Sequence, residues 1–164
     1  MPFLMTHLYA AKKLYDLKCI DINSLPQFYL GVAAPDAVHN RVDYTSEYKK
    51  ESHLCVGDGA WGMLTNDDEW SDNVLNFLNT HENTDFLMGY CIHILTDIYN
   101  NMTVWGSFRQ KYQGQYGGLY HQESTAVDIE LGLNPQNEND FWFHIKKSEE
   151  FEFYNLISCQ ELKT

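Results

Sequence analysis

The residues of this sequence best suited to chemistry are a histidine and an aspartate inside its most apolar segment. His93 and Asp97 lie in the stretch 84–101, TDFLMGYCIHILTDIYNN, and are four residues apart. On a helix this spacing places both side chains on one face, about one turn apart. A helix that is apolar almost all round is buried in a bundle, where an unpaired charge is very costly. The two residues therefore predict either a hydrogen-bonded core pair or part of a site for a divalent metal ion.

Three further residues are candidates to complete such a metal site. His7 lies in the first predicted helix, Asp36 follows a buried helix, and His53 follows a lysine-rich stretch. Imidazole nitrogens and carboxylate oxygens suit zinc and other first-row divalent ions. A carboxylate also has two oxygens, so it can bridge two ions about 3.5–4 Å apart, as two-metal hydrolases require.

The elements that must position these residues are all predicted to be helices, because no segment shows the strong alternation of a strand. We expect an all-α fold, a compact multi-helix bundle with the apolar segment as its buried central helix. At this length the bundle is expected to be a single domain over residues 1–164. The predicted helices span residues 6–18, 24–34, 65–80, 84–101, 103–113, 119–132, 139–150 and 151–162.

The segment around Asp36 carries the clearest end signals. Ser24, followed three residues later by Gln27, matches a capping box at the start of the second helix. Pro35 disfavours the helical conformation in the residue before it, so this helix must end near residue 34. Asp36 then lies on a stiff turn, either as a cap for the next helical turn or as a metal ligand. Residues 39–60 show no clear period and are predicted to form a long loop or a broken helix, with their lysines in water.

Composition excludes several classes of function. The net charge is −12, which repels nucleic-acid duplexes and anionic membrane surfaces. No apolar stretch is long enough to span a membrane, and the N-terminal residues lack the pattern of a signal peptide. The four cysteines form no CxxC motif, so a zinc ribbon is not indicated. We therefore expect a cytoplasmic protein with reduced thiols that does not insert stably into membranes.

Four short motifs contain the candidate ligands and follow one another along roughly the first three fifths of the chain. They are THLYAAKKL with His7, APDA with Asp36, KKESHL with His53, and GYCIHILTD with His93 and Asp97. In this order they resemble the bacterial zinc-dependent phospholipase C family, whose fold is shared by fungal single-strand nucleases. The resemblance implies a helical bundle of that type with a two-metal centre.

The resemblance also implies which residues hold each ion. The first ion would be bound by four side chains, Asp36, His53, His93 and Asp97. Asp97 would also reach a second ion, bound together with His7. Zinc is the expected metal, with iron or manganese as alternatives.

A third metal site, which the family also has, is expected to be absent or rebuilt. It depends on a histidine six residues after the aspartate and on a later His-x-x-x-carboxylate pair. Thr103 and Thr125 stand at the positions where these ligands are required. The candidates for replacement ligands are His121, Glu123 and Asp128, and the first and last of these share a face of the predicted helix.

Together these residues predict a metal-dependent phosphoester hydrolase of the phospholipase C type. Its two ions would polarise a phosphoryl oxygen and activate water for attack on phosphorus. Asp36 is the candidate catalytic residue, which orients the water or accepts its proton. The expected substrate is a small phosphoester or a phospholipid-derived molecule. The sequence does not define the oligomeric state.

Two other interpretations stay open at this point. The first is a non-catalytic helical binding module with a structural or vestigial metal site, which the altered third site favours. The second is a metal-free protein in which the five polar residues pair with one another in the core. An HD-type phosphohydrolase is disfavoured, because no adjacent His-Asp pair occurs in the chain.

Overall fold

The described part of the chain is helical, and its only β-structure is an isolated bridge between Phe153 and Ile157. The structure is a computed structural model that describes residues 2–59, 61, 63, 66–112 and 117–163, without the side chains of residues 117 and 135–139. The prediction of an all-α bundle is confirmed. The helices are α1 (Leu4–Asp16), α2 (Leu25–Ala33), α3 (Ser46–Ser52), α4 (Asp67–Thr80), α5 (Asp85–Asn100), α6 (Gly106–Tyr112), α7 (Gly117–Leu133), α8 (Pro135–Ile145) and α9 (Cys159–Leu162).

Helix α5 corresponds to the apolar segment and packs against α2, α4 and α1. Its N-cap residue is Thr84, whose side-chain hydroxyl accepts a hydrogen bond from the Leu87 amide at 3.1 Å. Most of its residues from Phe86 to Ile98 are buried, as expected for a central helix. No helix in the described ranges has both the length and the hydropathy needed to cross a bilayer.

Two glycines allow α2 and α5 to cross with their backbones in contact. A Cβ atom added to Gly31 would lie 2.1 Å from the carbonyl oxygen of Phe86. A Cβ atom added to Gly89 would lie 2.1 Å from the carbonyl oxygen of Phe28. Both neighbours are backbone atoms, which cannot rotate away as a flexible side chain can. The crossing therefore sets how close the end of α2 comes to the middle of α5.

Helix α2 ends as its proline predicts. Its N-cap residue is Ser24, whose hydroxyl accepts a hydrogen bond from the Gln27 amide at 3.5 Å. The Gln27 side chain donates to the Glu149 carbonyl and does not complete the predicted capping box. The α-helical part ends at Ala33, and residues Ala34–Asn40 continue as a 3-10 helix. Asp36 lies in the first turn of this 3-10 helix, so a tight turn and a proline fix its backbone.

The segment 39–60, predicted as a long loop or a broken helix, contains a short helix, α3, whose C-cap residue is His53. The helix predicted for 151–162 is wrong, because Tyr154 and Asn155 have left-handed backbones with φ of 48° and 59°. A turn there pairs Phe153 with Ile157 through a hydrogen bond of 2.9 Å between the Phe153 amide and the Ile157 carbonyl. The turn instead buries Phe153 and Ile157, and the helix α9 follows it.

Candidate metal centre

Five of the predicted ligands meet between α1, the 3-10 helix, the end of α3 and the middle of α5. The three histidines are fully buried, Asp97 is 1% exposed, and the side chain of Asp36 is 24% exposed. Residues far apart in the sequence are thus brought together by the crossing of α5 with α1 and α2. We call this group the histidine–aspartate cluster, and its members are His7, Asp36, His53, His93 and Asp97.

One group of potential ligands consists of Asp36, His53 and His93, whose ligand atoms lie within 4.8 Å of one another, and an oxygen of Asp97 approaches its two histidines. The Nε2 atom of His53 lies 3.5 Å from Asp36 Oδ1 and 3.4 Å from Asp97 Oδ2. The Nε2 atom of His93 lies 4.0 Å from Asp36 Oδ2 and 3.9 Å from Asp97 Oδ2. Ligands bound at 2.0–2.1 Å to a tetrahedral zinc ion lie about 3.4 Å from one another. The two distances from His53 are therefore close to those within a zinc coordination shell, whereas the two distances from His93 are about 0.5 Å wider.

A second group of potential ligands, His7, His93 and Asp97, shares His93 with the first. The Nε2 atom of His7 lies 3.4 Å from Asp97 Oδ1, the oxygen that does not face His53. The rings of His7 and His93 are stacked, with centroids 3.6 Å apart and planes 6° from parallel. His7, His93 and Asp97 each offer one ligand atom within 4.8 Å of the others. Asp97 therefore presents one oxygen to His7 and the other to His53, an arrangement that permits it to bridge two ions.

The tautomers of two histidines follow from their backbone partners. His93 Nδ1 lies 2.7 Å from the carbonyl oxygen of Val32, and His53 Nδ1 lies 2.9 Å from that of Lys49. A carbonyl oxygen only accepts, so each Nδ1 must carry the hydrogen. Each Nε2 then has a free lone pair directed toward the carboxylates, which is the arrangement typical of metal-binding histidines.

The cluster brings together buried polar atoms that have no hydrogen-bond partner. Among the described residues, six of its atoms are buried without a hydrogen-bond partner: His7 Nδ1, His7 Nε2, His53 Nε2, His93 Nε2, Asp97 Oδ1 and Asp97 Oδ2. Buried polar atoms are nearly always satisfied, and lone pairs that face carboxylate oxygens repel one another. One proton can satisfy one such pair, whereas a divalent cation can satisfy several at once. The donor set therefore fits a metal ion better than a metal-free core pair.

The protonation states also suit metal binding. Burial raises the pKa of Asp36 and Asp97, but the neighbouring histidines, and Lys49 in the case of Asp36, outweigh it and hold both pKa values below their usual range. Burial, together with the neighbouring histidine of α1, lowers the pKa of His93 to about 3. At neutral pH the carboxylates are ionised and His93 is neutral, which are the forms that metals bind.

This chain matches no family model, no curated protein and no solved structure. Its relation to the phospholipase C family therefore stays a prediction. The buried His/Asp groups that could bind a metal ion are inferred from the geometry of the chain itself.

Lys49 is the neighbour of the cluster that the sequence did not indicate. Its Nζ lies 2.7 Å from Asp36 Oδ1 and 4.8 Å from the ring centroid of Trp61. The indole ring of Trp61 in turn contacts His53 edge-on, with centroids 4.8 Å apart. The lysines of this segment were predicted to face water, but Lys49 is buried. The only signal in the sequence was its spacing of four residues from His53.

The backbone around His53 is tied to three other elements. The indole nitrogen of Trp70 on α4 donates to the His53 carbonyl at 2.7 Å. The hydroxyl of Tyr90 on α5 donates to the Ser52 carbonyl, and the Ser52 hydroxyl donates to the Pro35 carbonyl at 2.9 Å. These bonds fix His53 relative to both Asp36 and α5, so the cluster is preorganised.

The other predicted ligands lie away from the cluster. Asp128 accepts two hydrogen bonds from Thr6, whose amide and hydroxyl donate to its Oδ1 at 2.8 and 3.1 Å. His121 is exposed and touches the ring of Phe3 edge-on. Glu123 is exposed on the same helix. None of the three joins either group of potential ligands in the described structure, because the inner face of α7 is used to hold the start of α1.

Asp128 is therefore expected to stabilise α1 without binding metal. The change Asp128→Ala removes the acceptor of the Thr6 hydroxyl and leaves the Thr6 amide only its 3.1 Å bond to the Phe3 carbonyl. It should lower the free energy of unfolding by about 1 kcal/mol. Asp128→Asn keeps an acceptor oxygen and should lose less. Denaturant unfolding measures the stability, and elemental mass spectrometry measures the metal content. Loss of one metal equivalent from either variant would instead support a rebuilt third site.

Proposed function

We propose that this protein binds divalent metal at the histidine–aspartate cluster and hydrolyses phosphoesters there. The observation that carries the proposal is that His7, His53, His93 and Asp97 meet in the core with six buried polar atoms that have no hydrogen-bond partner, while Asp36 lies at the more exposed side. The resemblance of the sequence to zinc-dependent phospholipases C supports the choice of phosphoesters. The substrate is then a small phosphoester or a phospholipid-derived molecule, and zinc is the first metal to test.

The charge of the cluster suits an anionic substrate once metal is bound. With neutral histidines, two aspartates and Lys49 give it a net charge of minus one. A single divalent ion makes the cluster positive, although the whole chain has a charge of −12. A buried positive centre in an acidic protein attracts a phosphate group locally and stabilises the negative charge that develops during hydrolysis.

Asp36 is the residue best placed to meet substrate and water. It is the only cluster member whose side chain is appreciably exposed, at 24%. When bound, divalent ions supply the positive charge that polarises a phosphoryl oxygen and lowers the pKa of a water molecule. The His53 and Lys49 contacts keep the pKa of Asp36 well below its usual range, although burial opposes them. Asp36 therefore serves to orient water through a hydrogen bond, and it is a weak base for holding a proton.

A structural metal site is the second candidate function, and one observation favours it. Four of the five cluster residues are at most 1% exposed, and Lys49 already occupies one oxygen of Asp36. A metal whose protein ligands fill its coordination shell has no position for water and performs no hydrolysis. In this case the ion would stabilise the bundle by linking α1, α3 and α5.

Metal content and hydrolysis measured together test the proposal. Protein purified without a nickel column is expected to contain one or two zinc, iron or manganese ions per chain by elemental mass spectrometry. It should hydrolyse bis(p-nitrophenyl) phosphate, a generic phosphodiester. His53→Ala removes a ligand, and it should lower that activity at least about a hundredfold, since even outer contacts of metal ligands are worth 10–100-fold.

The exposed histidine of α7 provides a matched control. His121→Ala removes the same type of side chain outside the cluster and should leave both metal content and activity unchanged. Bound metal without hydrolysis of any phosphoester in a broad screen would overturn the hydrolase and leave the structural site. A chain that takes up no metal after reconstitution would exclude both functions.

A further inference from the structure

A cleft with a volume of about 600 Å³ lies at the N-terminal end of α5, and none of the residues that line it belongs to the histidine–aspartate cluster. Its walls come from the starts of α2 and α5 and from the segment between α8 and α9. Pockets for small molecules commonly have volumes of about 300–1,000 Å³, so the size of this cleft suits a ligand. Phe86, which lines it, is seven residues from His93, and about 10 Å of helix separates the two. The cleft is thus distinct from the histidine–aspartate cluster.

One wall of this cleft is aromatic and partly exposed. Phe151 is 38% exposed and Tyr154 is 48% exposed, and both border the cleft. They rest on the buried ring of Phe153, with centroids 6.3 and 4.8 Å away. The left-handed backbone of Tyr154 and the bridge from Phe153 to Ile157 hold this turn in place. Two partly exposed rings on a fixed support can therefore offer their π faces to a ligand.

The rim of the cleft is negatively charged. Glu82, Asp85 and Glu152 line it, and no lysine or arginine is found among the described residues that do so. Asp85 already accepts from the backbone amide of Ser24 at 2.7 Å, and one oxygen of Glu152 accepts from Cys159. Glu82 has no hydrogen bond or ion pair to any described residue. At least one full carboxylate and part of another are therefore free to meet a cation.

The N-termini of α2 and α5 lie at this cleft, but they do not favour the binding of an anion. The first turn of α2 is capped by Ser24, and that of α5 is capped by Thr84. Asp85 adds a negative charge between the two starts. These groups already satisfy backbone amides that would otherwise bind a phosphate or carboxylate. In addition, the side-chain oxygen of Gln27, another lining residue, is buried without a donor in the described structure.

From this combination we infer that the cleft binds a guanidinium group, carried by a small molecule or by an arginine side chain of a partner peptide. A guanidinium is planar, stacks on aromatic rings and donates several N–H bonds at fixed angles. Tyr154 and Phe151 provide the stacking surface, and Glu82 and Glu152 provide acceptors for the N–H groups. The inference is independent of the proposed hydrolase, because no residue of the cluster lines the cleft.

Calorimetric titration with N-acetyl-arginine amide tests this site. The matched probe is N-acetyl-citrulline amide, which has nearly the same shape but no charge. The arginine derivative should bind with one site per chain and at least about tenfold more tightly than the citrulline derivative, and high salt should weaken its binding. A short peptide with one arginine and neutral neighbours distinguishes the two sources, because tighter binding than that of the single residue points to a peptide partner.

Two variants locate the binding in the cleft. Tyr154→Leu keeps an apolar side chain but removes the π face, and Glu82→Gln removes the free carboxylate. Each should weaken binding about fivefold or more. Glu130→Gln makes the same charge change on the exposed surface of α7 and should have no effect. Equal binding of arginine and citrulline derivatives, no binding at millimolar concentration, or an equal loss in Glu130→Gln would each overturn the inference.

Discussion

Replacing His93 by alanine is expected to abolish metal binding at both groups of the cluster. Its Nε2 atom belongs to the group with Asp36 and His53 and also to the group with His7 and Asp97. No other histidine of the described structure is shared in this way. We expect metal content to fall below one tenth of the wild-type value and hydrolysis of phosphoesters to be lost with it.

A stability measurement separates the loss of metal from damage to the fold. An ion that binds only the folded state stabilises it by about 2.7 kcal/mol at a hundredfold excess over its dissociation constant. Added zinc should therefore raise the melting temperature of the metal-stripped wild-type protein and leave that of His93→Ala unchanged. The variant His93→Asn retains a donor near the position of Nδ1, so it can still bond the Val32 carbonyl while lacking Nε2. It should fold better than His93→Ala and still bind no metal.

The matched control for this experiment is His144→Ala. His144 is a partly buried histidine on α8 that pairs with Asp140 at 3.5 Å, outside the cluster. Its replacement should leave the metal content and the zinc-dependent shift in melting temperature as in the wild-type protein. If His93→Ala retained its metal and its zinc-dependent shift, His93 would not be a ligand, and the proposed metal site would be wrong.

The sequence predicted the positions of α5 and of the end of α2, because both depend on local signals. The apolar run around His93 and Asp97 is long enough to define a buried helix, and Pro35 places Asp36 on a turn. The meeting of these residues with His7 and His53 depends on contacts between distant segments, which no spacing in the chain reports. The resemblance to a known family, rather than the pattern of residues, suggested that they would come together.

The same distinction explains the predictions that differ from the structure. Apolar residues at 153, 156 and 157 have helical spacing, yet they also suit a turn that buries Phe153 and Ile157 against the core. Asp128 lies on the predicted face of α7, but the spacing along a helix does not reveal which neighbour that face contacts. Lys49 was missed because a lysine in a polar segment usually faces water, whereas here Asp36 and Trp61 offset the cost of its burial.

The second large effect is expected where α2 and α5 cross. In the interior of a helix, alanine is normally more favourable than glycine by about 1 kcal/mol. Gly89→Ala should reverse this sign, because the new Cβ atom would lie 2.1 Å from the Phe28 carbonyl oxygen and 2.9 Å from the Val32 amide nitrogen. The helices would have to separate, and we expect the free energy of unfolding to fall by about 3 kcal/mol or more. The separation should also pull the Val32 carbonyl from His93 Nδ1 and weaken metal binding.

Gly118→Ala provides the internal control for the sign of this effect. Gly118 lies in α7, and a Cβ atom there would have no neighbour within 4 Å among the described residues. Its replacement should leave stability unchanged or raise it by up to about 1 kcal/mol, as propensity alone predicts. Urea unfolding of the two variants without metal measures the free energy of unfolding of each, so the effect of packing at Gly89 can be compared with the effect of helix propensity at Gly118. Because the crossing holds the carbonyl that orients His93, a harmless Gly89→Ala would contradict both the contact of the two backbones and the rigid support that it gives to the cluster.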